Sequence, residues 1–352
     1  MKKKKICVLG AFGYYNNKLD GQTVKTRNIS QLLREHKELK VYDYDTLKVK
    51  QTKNPLLILK LLKYLIISNT VIMVPADNSL EKLFPIIHKL SKLLKYKLII
   101  TCVGGWQIDF FEGTYKFTPH YKLLEISKKI HAFLPEMENV NKVLIEKYGF
   151  KNTEVFPNFR FIDDFKVLSN TNKTLKLVYM ARIDRNKGYD VIFNFAELIK
   201  KECLNITIDF YGQIEPNDEI DYINKINNFN DIVKYKGFLK PNEIHTTLSG
   251  YDVLLLPTKY YTEGFPGSVL DAYIAGIAVI VSEWKHSHEF VKQGISGIIV
   301  PFENNQEDFN NAILSLYKDR DKLNEMKNAA KRESIKYTPQ AAWDVLSKRI
   351  LC

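Results

Sequence analysis

Lys259-Tyr-Tyr-Thr-Glu263-Gly-Phe-Pro-Gly267-Ser-Val-Leu-Asp271-Ala-Tyr-Ile-Ala-Gly276 comes just after the apolar run Asp252-Val-Leu-Leu-Leu-Pro257. A short apolar run that ends in turn residues reads as a buried strand. The Gly/Pro turn then opens into a short helical pattern. Glu263 stands ahead of that turn, and Asp271 lies inside the helix. At Gly267 and Ser268 the first-turn amides have no acceptor within the helix, so the helix start offers a site for a phosphate. A carboxylate accepts O–H bonds from a vicinal diol. Acids for hydroxyls on either side, with open amides between them, suit a sugar nucleotide.

Glu263-x7-Asp271 enclosing Gly-Phe-Pro resembles the Glu-x7-Glu signature of retaining glycosyltransferases of family four, with Asp in place of the second Glu. The resemblance implies an α/β chain of the GT-B type: two Rossmann-like, doubly wound domains facing a central cleft. It assigns Glu263 to the hydroxyls of the transferred sugar and Asp271 to the ribose. The backbone of Phe265, Pro266, Gly267, Ser268 and Val269, with amide donors from all but the proline, belongs to the donor-binding segment. Asp is one methylene shorter than Glu, so the ribose contact is expected to be looser or water-bridged.

A second element points the same way. Met180-Ala-Arg182-Ile-Asp-Arg-Asn-Lys187-Gly188 follows another apolar run and is similar to the family's Gly-Arg-Leu-x-x-x-Lys-Gly, with Ala181 where Gly is usual. By resemblance Arg182 and Lys187 hold the donor diphosphate. Breaking the sugar–diphosphate bond leaves negative charge on the β-phosphate, and fixed cations stabilise that charge as it develops. Arg supplies a planar fork and Lys a compact point charge. Arg185 reads as a solvated surface residue. The nucleotide base is expected near Gly212-Gln213 and Phe238-Leu239. With two cations and a helix start available, no metal and no other cofactor is expected. No Asp-x-Asp triplet of the nucleotide-sugar type is found; Asp43-Tyr-Asp45 and Asp163-Asp164 read as structural.

Toward the start of the chain, Gly13 and Asp20-Gly21-Gln22-Thr23 precede a helical pattern, where the family has a glycine-rich loop that closes over the diphosphate. Glycine permits close backbone approach there. Lys25 and Arg27 read as exposed charges on the helix that follows. Thr101-Cys-Val103-Gly104-Gly105-Trp106 carries Val103 where many relatives have His, so acceptor-side chemistry is assigned to Gly104, Gly105 and Asp109. Asn158 in Phe-Pro-Asn-Phe resembles the family's Pro-Asn-Gly hinge and reads as structural.

Around these motifs the chain alternates strand and helix signals, which argues for parallel sheets covered on both faces. Strands are predicted at residues 6–10, 39–44, 71–75, 98–102, 131–135 and 153–156. After a break they are predicted at 175–180, 206–211, 233–237, 253–257, 278–281 and 297–301. The clearest helices are predicted over 23–36, 55–67, 79–95, 138–148, 188–201 and 307–317. Residues 1–160 form the expected acceptor-binding domain, 161–174 a polar linker and 175–337 the donor-binding domain. Residues 338–352 resemble the family's final helix that packs back on the first domain. Open parallel sheets bind ligands beyond the carboxyl ends of their strands, and each motif above follows a predicted strand.

The chain has 352 residues, enough for about two domains by the usual size prior. Its four cysteines, Cys7, Cys102, Cys203 and Cys352, are scattered, which fits a reducing cytoplasm rather than a disulfide frame or a zinc site. Met1-Lys-Lys-Lys-Lys5 leads only into Ile6–Leu9 and reads as the approach to a first strand rather than a signal peptide. Leu56 to Ile67, interrupted by Lys60 and Lys63, is too short to span a bilayer. Charge is lopsided: residues 1–160 hold 28 Lys and Arg against 14 Asp and Glu, whereas the remainder is slightly acidic. Such asymmetry fits an anionic membrane, a nucleic acid, or a basic surface kept for solubility. Recognised nucleic-acid modules are lacking, so no nucleic-acid partner is expected. Over 81–97, Lys82, Lys89 and Lys92 line one helical face while Leu83, Phe84, Ile87, Leu90 and Leu94 line another. That helix fits either an anionic bilayer or ordinary packing on a sheet.

Taken together, the expected protein is a cytoplasmic enzyme, peripheral on the inner face of the membrane. It moves a hexose-type sugar from a nucleotide diphosphate, with UDP favoured, to a glycan or lipid-linked acceptor in cell-surface polysaccharide assembly. A sugar-nucleotide epimerase of GT-B-like fold and a nucleic-acid-binding protein are the alternatives.

Overall fold

The structure, a computed structural model, describes residues 3–14, 20–162, 164–168, 173–303 and 306–351. Met1, Lys2, Asp163, Asn170, Thr171, Asn172 and Cys352 lie outside the described residues. By its internal contacts the chain divides into two compact units, Met1–Phe161 with Tyr337–Cys352, and Ile162–Lys336.

The first unit is built on a parallel sheet of β1 (Lys4–Gly10), β2 (Leu39–Asp45), β3 (Thr70–Val74), β4 (Lys97–Thr101) and β5 (Ala132–Leu134), in the order β2-β1-β3-β4-β5. The second unit has β6 (Leu175–Met180), β7 (Ile206–Tyr211), β8 (Val233–Tyr235), β9 (Val253–Leu256), β10 (Ala278–Ser282) and β11 (Gly297–Val300), in the order β11-β10-β9-β6-β7-β8. These are the two common doubly wound orders, and each reverses direction next to its first strand. The reversal falls between β1 and β3 in one unit and between β6 and β9 in the other. Strands covered on both faces read as continuous apolar runs, which is why Ile6–Leu9, Val71–Val74 and Val253–Leu256 are buried along their length.

The last helix, Pro339–Ile350, belongs to the first unit. Thr338 caps it by accepting from the Ala341 amide, and Pro339 occupies its first turn. Ala342, Leu346 and Ile350 join Ile6, Val8, Ile72 and Ile99 in one core. Trp343 stacks on His36 at 3.4 Å between ring centroids.

Several local expectations are corrected. Residues 153–156 form no strand: Thr153 makes a single bridge to Phe133, and Pro157 follows without an amide donor. The helix read over 79–95 is two, Asp77–Lys82 and Phe84–Leu94, because Pro85 cannot donate back to the preceding turn. Its apolar face is also spent: Phe84 and Ile87 are buried, and Leu83, Leu90 and Leu94 are half-buried. Of the 161–174 stretch, Phe161 packs against the core of the first unit, while the described residues from Ile162 onward belong to the second, where the Leu168 amide donates to Ser249 Oγ at 2.9 Å.

Lys25 is the largest correction. It is not an exposed charge but is 1% accessible. Its Nζ lies 2.7 Å from Glu136 Oε2 and donates to Cys102 O at 3.0 Å and Phe156 O at 3.4 Å. One ammonium therefore ties the first helix, Gly21–Arg34, to the chain leaving β4 and β5. Arg27 likewise turns inward, donating from Nε to Phe12 O at 2.7 Å and lying over the Tyr14 ring. Removing one partner of a buried pair strands the other charge. Lys25→Met is thus expected to destabilise the protein by about 3 kcal/mol, and Lys25→Met with Glu136→Leu by much less, as measured by urea unfolding.

Candidate functional site

At the carboxyl end of the second sheet, three loops are laced together. The loop after β6 carries Ala181 to Gly188, the loop after β7 starts at Gly212, and the loop after β9 runs from Pro257 to the helix Gly267–Ala275. The Ala181 amide donates to Tyr211 O, the Ile183 amide to Gln213 O at 2.7 Å and the Glu215 amide to Ile183 O. On the other side, the Lys259 amide donates to Asn186 O at 2.7 Å. Loops 181–188 and 257–267 leave the two strands that flank the reversal of strand order, where doubly wound sheets bind ligands.

Two glycines let the loops approach this closely. Gly188 has φ +79°, and a Cβ there would stand 1.9 Å from Pro257 O. Gly212 has φ +140°, and a Cβ would stand 1.8 Å from Ala181 O. Gly21 differs: a Cβ there would meet nothing within 4 Å. It begins a helix whose cap is the Asp20–Thr23 box, and Gln22 Nε2 donates to Val74 O at the end of β3.

The lacing brings Lys187 and Glu263 together. Their Nζ and Oε2 atoms are 2.5 Å apart, and both side chains are largely shielded from solvent. Thr258 Oγ1 lies 3.4 Å from the same carboxylate oxygen. The Tyr260 ring lies beneath the ammonium, 4.8 Å from centroid to Nζ. Tyr260 also joins Arg182 to the cluster, with Nη2 to OH at 3.4 Å. Arg182 Nη1 reaches Glu215 at 3.5 Å, and Nη2 lies 3.8 Å from Asp184. Burial works against the Arg182 charge, but Tyr260, Asp184 and Glu215 offset it, so the guanidinium is held above its ordinary value. Asp184 holds the turn itself by accepting from the Lys187 amide at 2.9 Å. Arg185 is exposed and faces Asp218 and Asp221.

The helix Gly267–Ala275 starts at Pro266 with no side-chain cap. Amides of Val269 and Leu270 bond to Pro266 O, so the open donors of its first turn are those of Gly267 and Ser268, among the described residues. Phe265 is buried and stacks on Phe290 at 4.3 Å, which fixes the turn before the helix. Asp271 is buried, and its Oδ1 lies 3.3 Å from His245 Nε2. His245 escaped the sequence reading because it lies on a separate short helix, Ile244–Leu248, far along the chain. Tyr260 was in plain view within the opening stretch, but nothing in its spacing shows that it bridges both cations. Phe238 is exposed.

In the first unit, Gly104 has φ +84° and Trp106 Nε1 donates to Val103 O at 2.8 Å, so Val103 turns the chain with its backbone. Asp109 is buried, and its Oδ1 accepts from Thr114 at 2.8 Å. Its carboxylate thus shapes the turn that ends the helix Gln107–Glu112. Asn158 is buried too and accepts from the Phe159 amide. No group of three or more His, Cys, Asp or Glu side chains is placed to hold a metal among the described residues.

The steric demands at the laced loops are open to measurement. Gly188→Ala and Gly212→Ala are each expected to cost about 2 kcal/mol or more, through a strained backbone and a blocked carbonyl. Gly21→Ala is expected to change stability by less than about 0.5 kcal/mol. Thermal unfolding of the three variants separates these outcomes.

Residues 161–333 match the family described as "Glycosyl transferases group 1". The amylovoran biosynthesis glycosyltransferase AmsK of Erwinia amylovora is 26% identical over 144 residues, 39% of this chain and 35% of that protein. The N,N'-diacetylbacillosaminyl-diphospho-undecaprenol alpha-1,3-N-acetylgalactosaminyltransferase of Campylobacter jejuni is 25% identical over 168 residues, 48% of this chain and 42% of that protein. The matches therefore span well under half of those relatives' lengths. Among solved structures, Anabaena HepE in complex with UDP-glucose superposes with a TM-score of 0.70 at 15% identity, covering 98% of this chain and 99% of that one. This chain has the GT-B fold of its solved neighbours, and its residues 161–333 match the glycosyl transferases group 1.

Proposed function

We propose that this protein is a retaining glycosyltransferase of family four. It moves a hexose-type sugar from a nucleoside diphosphate donor to a hydroxyl of a glycan or lipid-linked acceptor in cell-surface polysaccharide assembly. The observation that carries this reading is the Lys187–Glu263 pair, two residues singled out from separate motifs and 2.5 Å apart at the sheet's reversal point. The match of residues 161–333 and the likeness to an amylovoran biosynthesis glycosyltransferase support transfer in polysaccharide assembly. UDP is favoured as nucleotide because the Anabaena neighbour is described with UDP-glucose. A lipid-linked acceptor is favoured because the Campylobacter relative's name gives a diphospho-undecaprenol.

In this reading the donor exchanges partners with the pair. Its β-phosphate takes the Lys187 ammonium and the Arg182 guanidinium, and its sugar hydroxyls take the released Glu263 carboxylate. Charge growing on the β-phosphate as the bond breaks then meets cations already in place, together with the open amides of Gly267 and Ser268. The sugar passes through an oxocarbenium-like state, and attack on the departing phosphate's side retains configuration. Asp271, oriented by His245, takes the ribose hydroxyls. The Gly212 and Phe238 segments take the base, and in the first unit Gly104 and Gly105 are assigned to the acceptor. No metal is needed, because the two cations and the helix start supply the positive charge.

Incubating the protein with a panel of nucleotide sugars and no acceptor tests the reaction class. Slow release of free sugar from a UDP-sugar, unaffected by EDTA, is the expected outcome. Isomerised sugar nucleotide would instead make it an epimerase, and loss of turnover in EDTA would refute metal independence. Glu263→Ala and Lys187→Ala are each expected to lower turnover by more than about tenfold with circular dichroism unchanged. Near-normal rates in both variants would move the site elsewhere.

A further inference from the structure

The helix Leu56–Ile67 is apolar almost throughout, yet only Leu65 is buried. Leu56, Ile58, Leu59, Leu62 and Ile66 are all exposed, Ile66 to 64%. At 100° per residue, Ile58, Leu62, Ile66 and Leu59 form one continuous outward stripe, and Lys63 and Lys60 lie along its edge. The opposite side is anchored: Tyr44 OH donates to Leu57 O at 3.0 Å, and Tyr42 packs against Tyr64. The helix is therefore fixed to β2 and presents its greasy side outward, an arrangement normally avoided in water.

Charge decides what covers it. Between Asp45 and Asp77 the sequence holds five lysines and no acidic residue. A second copy of this chain docking through the same face would set lysines against lysines. An anionic bilayer satisfies both features, taking the apolar stripe into its acyl boundary and the lysines among its headgroups. We propose that Leu56–Ile67 is a docking helix that lays the first unit on an anionic membrane surface.

The proposal deepens the membrane-facing part of the functional reading above and rests on it. It moves the docking element away from the 81–97 stretch, which exposes two large apolar side chains, Ile86 and Leu93, against five on Leu56–Ile67. One end of the helix borders a cavity of about 350 Å³ lined by Phe12, Tyr14, Asp45, Lys48, Leu57 and Lys60, at the carboxyl ends of β1 and β2. An acceptor tethered to lipid would enter the unit beside this cavity.

Sedimentation of the whole protein with phosphatidylcholine vesicles, with and without phosphatidylglycerol, tests this. Binding is expected only with phosphatidylglycerol. It is expected to fall on the order of tenfold or more in Ile58→Ser/Leu62→Ser/Ile66→Ser and in Lys60→Glu/Lys63→Glu. Since these side chains are exposed, melting temperature and acceptor-free donor hydrolysis are expected to stay at wild-type values. That readout separates failure of docking from failure of the transferase reading. Three results would overturn the proposal: wild-type vesicle binding by both variants, binding indifferent to lipid charge, or a dimer in solution that the serine variant dissociates. Loss of binding in Lys89→Glu/Lys92→Glu alone would return the docking surface to the other helix.

Discussion

The ion pair between Lys187 and Glu263 is the contact on which the proposed chemistry of the second unit depends. It joins the loop after β6 to the loop after β9, the two strands between which the sheet reverses. Doubly wound sheets leave a crevice there, and here the crevice contains matched charges rather than open solvent. In the reading proposed above, this ammonium and carboxylate part to take a ligand carrying both phosphate and hydroxyls, which satisfies both. The lacing makes this placement possible: with Gly188 and Gly212 at positive φ, backbone carbonyls come within contact of atoms that any side chain would displace.

The first unit rests on another buried ion pair used differently. Lys25 and Glu136 are sealed from solvent, and Lys25 also holds the carbonyls of Cys102 and Phe156. Such a pair adds little net stability against an apolar replacement, but it fixes the geometry of what it joins. What it joins are the segments leaving β4 and β5, including the run toward Gly104 and Gly105.

Much of this was legible in the chain. Apolar runs such as Val253–Leu256 declare buried parallel strands, and Thr-Glu-Gly-Phe-Pro-Gly announces a strand-to-helix turn with acids on either side. Other features were hidden for definite reasons. Lys25 looks like any surface lysine, since its partner Glu136 lies far along the chain and only the sheet brings them together. His245 could not be matched to Asp271 from spacing, because they lie on different helices. The outward stripe of Leu56–Ile67 was visible as greasy sequence, but a helix apolar on most sides gives no sign of which face its sheet will take. Pro85, by contrast, is a readable break, because it lacks the amide that a continuous helix would need at that position.

The central claim, that Lys187 and Arg182 meet a β-phosphate, is tested most directly by titration calorimetry with UDP and UMP. The wild-type protein is expected to prefer UDP by about tenfold or more, some 1.4 kcal/mol. That preference is expected to vanish in Lys187→Ala and in Arg182→Ala while UMP affinity holds. An undiminished preference for UDP in both variants would contradict the account.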